Sequence, residues 1–433
     1  MKYEILPSLD LKKYFSGDEK RLKLEAESKV FFEERGYNTE QAIPIILNKS
    51  LKNPESERDQ SVHFTGSTSN ILKQYLLFPE RLGMTKFYCN QQKLRTQNIK
   101  DYFDEIDISY SSHFHGFGAV VGIQNAQSFL QDIIEYLKIL SIGSQAKICC
   151  TTPSYEPILC KFFRNQSEFL YTEVPAIRTP EDRFAWKYGE LDIHGDQILT
   201  GNGMYIEVID NYGNNLRDIA SLEVIYHRST QQPIALEFGL GYETALSKLN
   251  QNESFVHPLR YTALGGLPCF QSSHGLKALD SLMVCLVLAN EGLQPGKKNK
   301  NFHEVGTIFK QHLNAFCFHS IEENISERDW RECSKILAIT KEYTGFENIL
   351  TVYLQYNAKL IFFQNQILRY ASGIKNRIQD IKGIRPAIDN NTTISLAECG
   401  KIHGIIRFDK TSLYKKLWLM LSSMGTLNTL FTP

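Results

Sequence analysis

Short strand-like segments recur along this chain from Lys86 to Phe238, whereas from His274 onward it reads as one helix after another. A strand-rich stretch followed by a helical run predicts an α+β domain joined to an all-α domain, because each kind of element must bury its own apolar face. We place the division between 1–255 and 256–433. A length of 433 residues accommodates two or three such units at roughly 100–200 residues each.

Strand signals fall at 86–94, 116–123, 146–151, 204–210, 222–227 and 234–238. Helix signals fall at 20–35, 68–78, 126–140 and 242–249. In the first of these helices Leu24, Val30, Phe31 and Phe32 are expected near one face, and Gly36 is expected to stop it. The polar stretch 48–61 reads as a loop. The later helices are predicted at 274–290, 302–316, 328–344 and 346–371, with a loop over 292–301.

Lysine plus arginine equals aspartate plus glutamate at 48 each. A dedicated nucleic-acid binder carries a basic excess, so any RNA contact here needs a local patch. No run of about 18 apolar residues suggests a membrane span, and the polar start lacks the apolar stretch of a signal peptide. Nine cysteines, an odd number, read as reduced thiols and set the expectation of a cytoplasmic protein.

Three constellations carry chemistry. Arg95 follows the strand that ends in Gln91-Gln92-Lys93-Leu94, where a two-pronged guanidinium suits a carboxylate or phosphate; a surface arginine on a sheet edge is the plainer alternative. The strand Ile234-Ala235-Leu236-Glu237-Phe238 runs into Gly239-Leu240-Gly241 and then opens a helix. Glycines admit close approach and a helix start favours anions, which suits a nucleotide; a simple strand-to-helix turn fits as well. Glu237 suits an amino group, or is a solvated acid. Trp186, within Phe184–Glu190, either walls a small pocket or fills core.

In order and spacing these pieces resemble alanyl-tRNA synthetases, a branch of the class II aminoacyl-tRNA synthetases. Gln92-Lys93-Leu94-Arg95 is similar to that family's second motif, "QRCVR" or "QPCIR", and Glu237 to Glu243 to its third, "DTGMGLE". His63 to Lys73 resembles "FTNAGMNQFK", Ala185 to Glu190 "FWQMGD", Tyr205 to Val208 "CTEIF", Leu222 to Ile225 "IEIWN", and Cys285 to Pro295 "AFLIADGVMP". The likeness runs over roughly 22–310 in collinear order.

The resemblance implies a class II antiparallel sheet flanked by helices, followed by an all-α domain like the one that reads the tRNA acceptor stem, with no editing domain. It implies ATP and Mg2+ as co-reactants, an amino acid as substrate and tRNA as partner. Arg95 would bridge the amino-acid carboxylate and the ATP α-phosphate. Gly239, Gly241 and Glu243 would line the ATP, Glu207 would hold the metal, and Glu237 would bind the α-amino group. Trp186, Ser69 and Tyr226 would shape the side-chain pocket. Against the family pattern, Ser69 replaces a methionine, Tyr226 an asparagine, His115 a glutamate and Thr244 the closing arginine of the third motif. These changes imply a remodelled pocket. Lys310 alone is basic where the family carries arginine pairs, with Lys297, Lys298 and Lys300 in the loop before it. Activation of a small, alanine-like amino acid with transfer to tRNA is the leading expectation. Its alternatives are a stand-alone paralogue that loads a carrier protein or small molecule, and a non-catalytic protein that binds RNA or a ligand.

Overall fold

The computed structural model describes residues 12–46, 64–65, 75–76, 80, 82–95, 98, 102, 108, 110–141, 147–153, 156–166, 169–174, 185–187, 199–209, 216–249, 257–295 and 303–358. Helix α1 (Lys12–Glu34) ends where Gly36 takes φ +76°, a conformation that costs glycine nothing and other residues much. On its buried side Ser28 follows Leu24 by four positions, and Phe31 and Phe32 follow Ser28 by three and four. Val30, expected with them, falls off that stripe and is exposed.

Short β1 (Tyr37–Thr39) follows, then β2 (Lys86–Leu94) and β3 (His113–Gly122). Helix α2 (Ala126–Ser141) leads to β4 (Lys147–Pro153), α3 (Pro157–Phe163), β5 (Leu170–Val174) and β6 (Ala185–Lys187). Three long strands, β7 (Leu199–Ile209), β8 (Leu216–His227) and β9 (Gln232–Gly241), run into α4 (Tyr242–Leu249). The described strands form one sheet in the order β1-β2-β3-β9-β8-β7-β4-β5, with β6 also on β7. Pairing is parallel at β1·β2 and β4·β5 and antiparallel elsewhere. Helices α5 (Ser273–Asn290), α6 (His303–Glu322) and α7 (Glu327–Thr340) come after it, and 346–358 is helical. The architecture is therefore the expected α+β kind: a mostly antiparallel sheet, flanking helices and a helical C-terminal part.

Strand periodicity divides the cores. Tyr88, Phe117, Leu222, Val224 and Phe238 lie on one side of the sheet, packed against Phe32 of α1 and Phe129, Ile133 and Tyr136 of α2. Phe87, Cys89, Val120, Ile225 and Ala235, one residue out of phase, form a second cluster on the other side. A third core joins α5, α6 and α7, and Leu94, Tyr102 and Ile108 enter it from the sheet's edge.

Predicted boundaries shift at several elements: α1 begins at Lys12 rather than 20, β7 and β8 at Leu199 and Leu216 rather than 204 and 222, and α6 runs to Glu322 rather than 316. The strand expected at 116–123 starts at His113 and gives way to a single 3-10 turn at Ile123–Asn125. The helix expected over 328–344 starts on a Ser326–Asp329 capping box and stops at Thr340, where Lys341 turns left-handed (φ 53°). Of the helix expected over 346–371, the part beyond 358 lies outside the described residues, as does the loop 48–61 and most of 68–78.

Candidate functional site

Alternation along β2 puts Gln91 and Lys93 on one side, and β3 answers with glycine. Gln91 pairs with Gly116 and Cys89 with Gly118; across β3, Gly116 pairs with Gly241 and Gly118 with Gly239. Val120 pairs with Glu237, which pairs in turn with Glu223 of β8. A strip of four glycines thus runs between Lys93 at one end and the Glu237–Glu223 pair at the other, all on one face. Both glutamates and Lys93 are buried.

Arg95 leaves the end of β2 at the rim of this glycine face, half-buried. Its backbone N–H donates to the Ser112 carbonyl at 2.9 Å. Its guanidinium lies 4.5 Å from the Phe114 ring centroid and 5.2 Å from that of Tyr110, a cation–π arrangement. The Phe114 ring comes within 3.3 Å of the position a Cβ on Gly241 would occupy. Arg95 and the glycine turn therefore flank the same ring. Burial pulls the guanidinium below its ordinary value, against Tyr110, Asp218 and Asp280, yet arginine remains a cation in proteins.

A buried acid outside the sheet fixes this rim. Asp280 of α5 accepts from the Ser112 N–H and hydroxyl, both at 2.7 Å, from Tyr102 at 2.6 Å and from Asn98 at 3.2 Å. The loop that follows Arg95 is thereby tied to the helical part. No sequence signal singled out Asp280 beyond its being the one acid in the apolar stretch His274–Asn290.

Glu207 stands on β7, 2% exposed, next to the bulge at Ile206/Glu207. It accepts from the Thr151 hydroxyl at 2.7 Å. Thr151 pairs with Tyr205, Tyr205 with Ser221 and Ser221 with Gly239, which carries the same face outward to β4.

The opposite side of β2 and β3 is built differently. His115 Nδ1 is 2.7 Å from Glu243 Oε1 and its Nε2 is 2.9 Å from Glu342 Oε1. The His115 backbone N–H also donates to both Glu243 oxygens, at 3.1 and 3.0 Å. Gln92 and Tyr343 donate to the same Glu342 oxygen, at 3.3 and 3.1 Å, and Arg21 reaches its other oxygen at 3.8 Å. Burial works against the imidazolium, but the Glu243 charge and the hydrogen bonds it donates to Glu243 and Glu342 outweigh it and raise His115 to about 9. Burial likewise opposes the Glu342 carboxylate, while the hydrogen bond and charge of His115, with Arg21, bring it down to about 2. A cavity of about 600 Å³ opens beside this cluster, between α1 and the edge of β2.

The residues expected to act together are thus separated into two groups. Arg95, Gly239, Gly241, Glu237 and Glu207 share the glycine face. Glu243 turns to the histidine face, fully buried and engaged by His115. Tyr226 also points away from the glycines, into the α1–α2 core, where its hydroxyl donates to Glu156 at 2.7 Å. Thr244 is buried in the first turn of α4. Trp186 occupies β6 opposite Gly201, its side chain outside the described residues, and Ser69 lies outside them altogether. Sequence reasoning missed Lys93 and Glu223 as members of the face, although a two-residue step from Arg95 reaches the first.

No family model matches the chain. No curated protein matches it either. Among solved structures it is similar to the apo histidyl-tRNA synthetase of S. aureus, with a TM-score of 0.32 and 13% identity over 58% of this chain and 72% of that one. It is also similar to the pyrrolysyl-tRNA synthetase of Desulfitobacterium hafniense, with a TM-score of 0.29 and 11% identity over 55% and 75%. Likeness at this level leaves substrate and reaction open. Among the described residues no helix is long and apolar enough to cross a membrane, and no group of three or more His, Cys, Asp or Glu is arranged to hold a metal.

Proposed function

We propose that this chain activates a small, alanine-like amino acid with ATP as the aminoacyl adenylate and transfers it to tRNA. The observation that carries the reading is the shared face: Arg95 and Gly241 flank one ring, and Glu237 lies along the same glycine strip. In the reaction an amino-acid carboxylate oxygen bonds to the ATP α-phosphorus. The bond to the bridging oxygen breaks, and its electron pair leaves with pyrophosphate. No protein nucleophile is needed, so catalysis comes from positioning and charge.

Arg95 holds the developing charge on the α-phosphate and the attacking carboxylate, and Glu237 orients the substrate through its α-ammonium. Gly239 and Gly241 let the nucleotide approach the backbone. Glu207 would hold Mg2+, which takes one or two protein carboxylates together with water and phosphate oxygens. The Thr151 hydroxyl, which donates to the Glu207 carboxylate, would orient it for that role. Bound there, Mg2+ would offset phosphate charge.

Pyrophosphate exchange against each of the twenty amino acids, with and without tRNA, tests the reading. It expects exchange with a small amino acid and charged tRNA as product. Exchange with none of them removes it.

A further inference from the structure

We propose that Asp280 is a positioning residue for Arg95: from within α5 it grips both arms of the connection between β2 and β3 and so sets where the guanidinium stands. This deepens the amino-acid-activation reading and rests on it. It also makes the helical part a requirement for the chemistry of the sheet.

The case begins with what holds the acid. Asp280 is fully buried in α5. A carboxylate so placed is unfavourable unless donors occupy its roughly four acceptor sites. Four hydrogen bonds do so: from the Ser112 N–H and hydroxyl, both at 2.7 Å, from Tyr102 at 2.6 Å and from Asn98 at 3.2 Å. Every one of these donors belongs to the connection that follows Arg95, and Ser112 and Tyr102 are themselves completely enclosed.

Next comes the path from the acid to the guanidinium. Asn98 lies on the outgoing arm, and Ser112 closes the returning one. The Asn98 amide ties the arms together, donating to the Tyr110 carbonyl at 2.6 Å and to the Ser112 hydroxyl at 3.0 Å. Ser112 is held from two sides: its N–H donates to Asp280, and its carbonyl accepts the Arg95 N–H at 2.9 Å. Two hydrogen bonds in series therefore join α5 to the Arg95 backbone. Tyr110 and Phe114, on either side of Ser112 in the chain, are the rings beside the guanidinium. The Tyr110 hydroxyl is pinned in turn by Asp218 at 2.6 Å. A shift of Ser112 thus carries with it the backbone and both rings that place Arg95. Burial pulls the guanidinium below its ordinary value, and Asp280, with Tyr110 and Asp218, acts against that. For a group that must meet a developing charge, a misplacement of about 1 Å costs on the order of 100-fold in rate.

The test is a double-mutant cycle on pyrophosphate exchange, run with the amino acid that gives the strongest wild-type rate. Asp280→Asn keeps the side chain's shape and turns one acceptor into a donor. It should lower kcat about 10- to 100-fold, with the KM values for amino acid and ATP within about 3-fold of wild type. In an Arg95→Ala background the same change should cost less than about 3-fold, because a residue that acts through Arg95 has nothing left to place. Equal losses in both backgrounds would make Asp280 a structural acid only and overturn the proposal, as would an unchanged kcat in Asp280→Asn. Should that variant fail to fold, Tyr102→Phe takes its place. It leaves the acid its Ser112 and Asn98 donors and should show the same non-additivity at about 3- to 10-fold, the worth of one hydrogen bond. Hydrogen exchange at the Arg95 amide reads the link without any activity: it should quicken about 10-fold in the folded variant, and an unchanged rate sinks the idea. Absence of wild-type exchange with every amino acid would break the activation reading instead, and the amide measurement would still decide whether Asp280 holds Arg95.

Discussion

The two sides of the sheet at β2, β3 and β9 carry similar charges and use them in opposite ways. On the histidine face each charge has its partner within the chain: Glu243 and Glu342 close on His115, and Arg21 is held by Asp18 at 2.8 Å. On the glycine face Lys93 lies across Gly116, and Glu237 and Glu223 face each other beside Gly239 and Ser221. Charge closed on itself fixes a fold, whereas a run of strand glycines lets a ligand come close to the backbone.

The contrast breaks first if the histidine face proves dispensable. Glu243→Ala removes the buried carboxylate reached by both His115 Nδ1 and the His115 backbone N–H, and leaves those two donors unpaired. It should cost about 3–5 kcal/mol, measured by urea denaturation. A loss of activity with unchanged stability would instead move Glu243 to the ligand side, where sequence comparison first put it. Arg95→Ala is the mirror experiment. It should cut pyrophosphate exchange by on the order of 100- to 1000-fold, as expected for one preorganised charge-stabilising donor, while the urea midpoint moves little.

Acidity gives a finer cut. His115 is raised from 6.5 to about 9, so its share of stability is complete below pH 6.5 and is lost as the pH rises through about 9. Glu342 is lowered from 4.5 to about 2, so its share is complete above pH 4.5 and is lost as the pH falls toward 2. Both contributions are complete only between about pH 4.5 and 6.5. Stability measured from pH 3 to 10 should peak there, with the alkaline fall shallower in Glu342→Gln. An unchanged alkaline limb would mean that the His115–Glu342 contact does not help hold the helical part to the sheet.

The sequence carried some of this contrast and hid the rest for physical reasons. β2 was expected over 86–94 and α4 over 242–249, and both occur with those bounds, because a two-residue or a 3.6-residue period is written locally. The same local rule puts Arg95 just past the end of β2 and Glu237 within β9, in phase with Gly239 and Gly241. It stops at Gly241. There the chain changes from strand to helix, the period changes with it, and Glu243, two residues on, emerges on the other side. The partner that explains His115 is no more accessible, since Glu342 is 227 positions away. Short α3 and β5 escaped for a different reason: with 7 and 5 residues they offer too few periods to read.

The smallest test asks whether Tyr226 belongs to the fold or to the substrate. Its ring packs in the α1–α2 core and its hydroxyl donates to Glu156, whose carboxyl also accepts from the Ile158 N–H at 3.0 Å and so caps α3. Tyr226→Phe keeps the ring and deletes that one hydrogen bond. Because Glu156 retains its backbone donor, the acid is not left without a partner, and the loss should be only about 1 kcal/mol. Substrate constants should not move, since the hydroxyl points away from the glycines. A changed amino-acid preference in Tyr226→Phe, with stability intact, would show that the pocket reaches through the sheet and that its two faces are not independent.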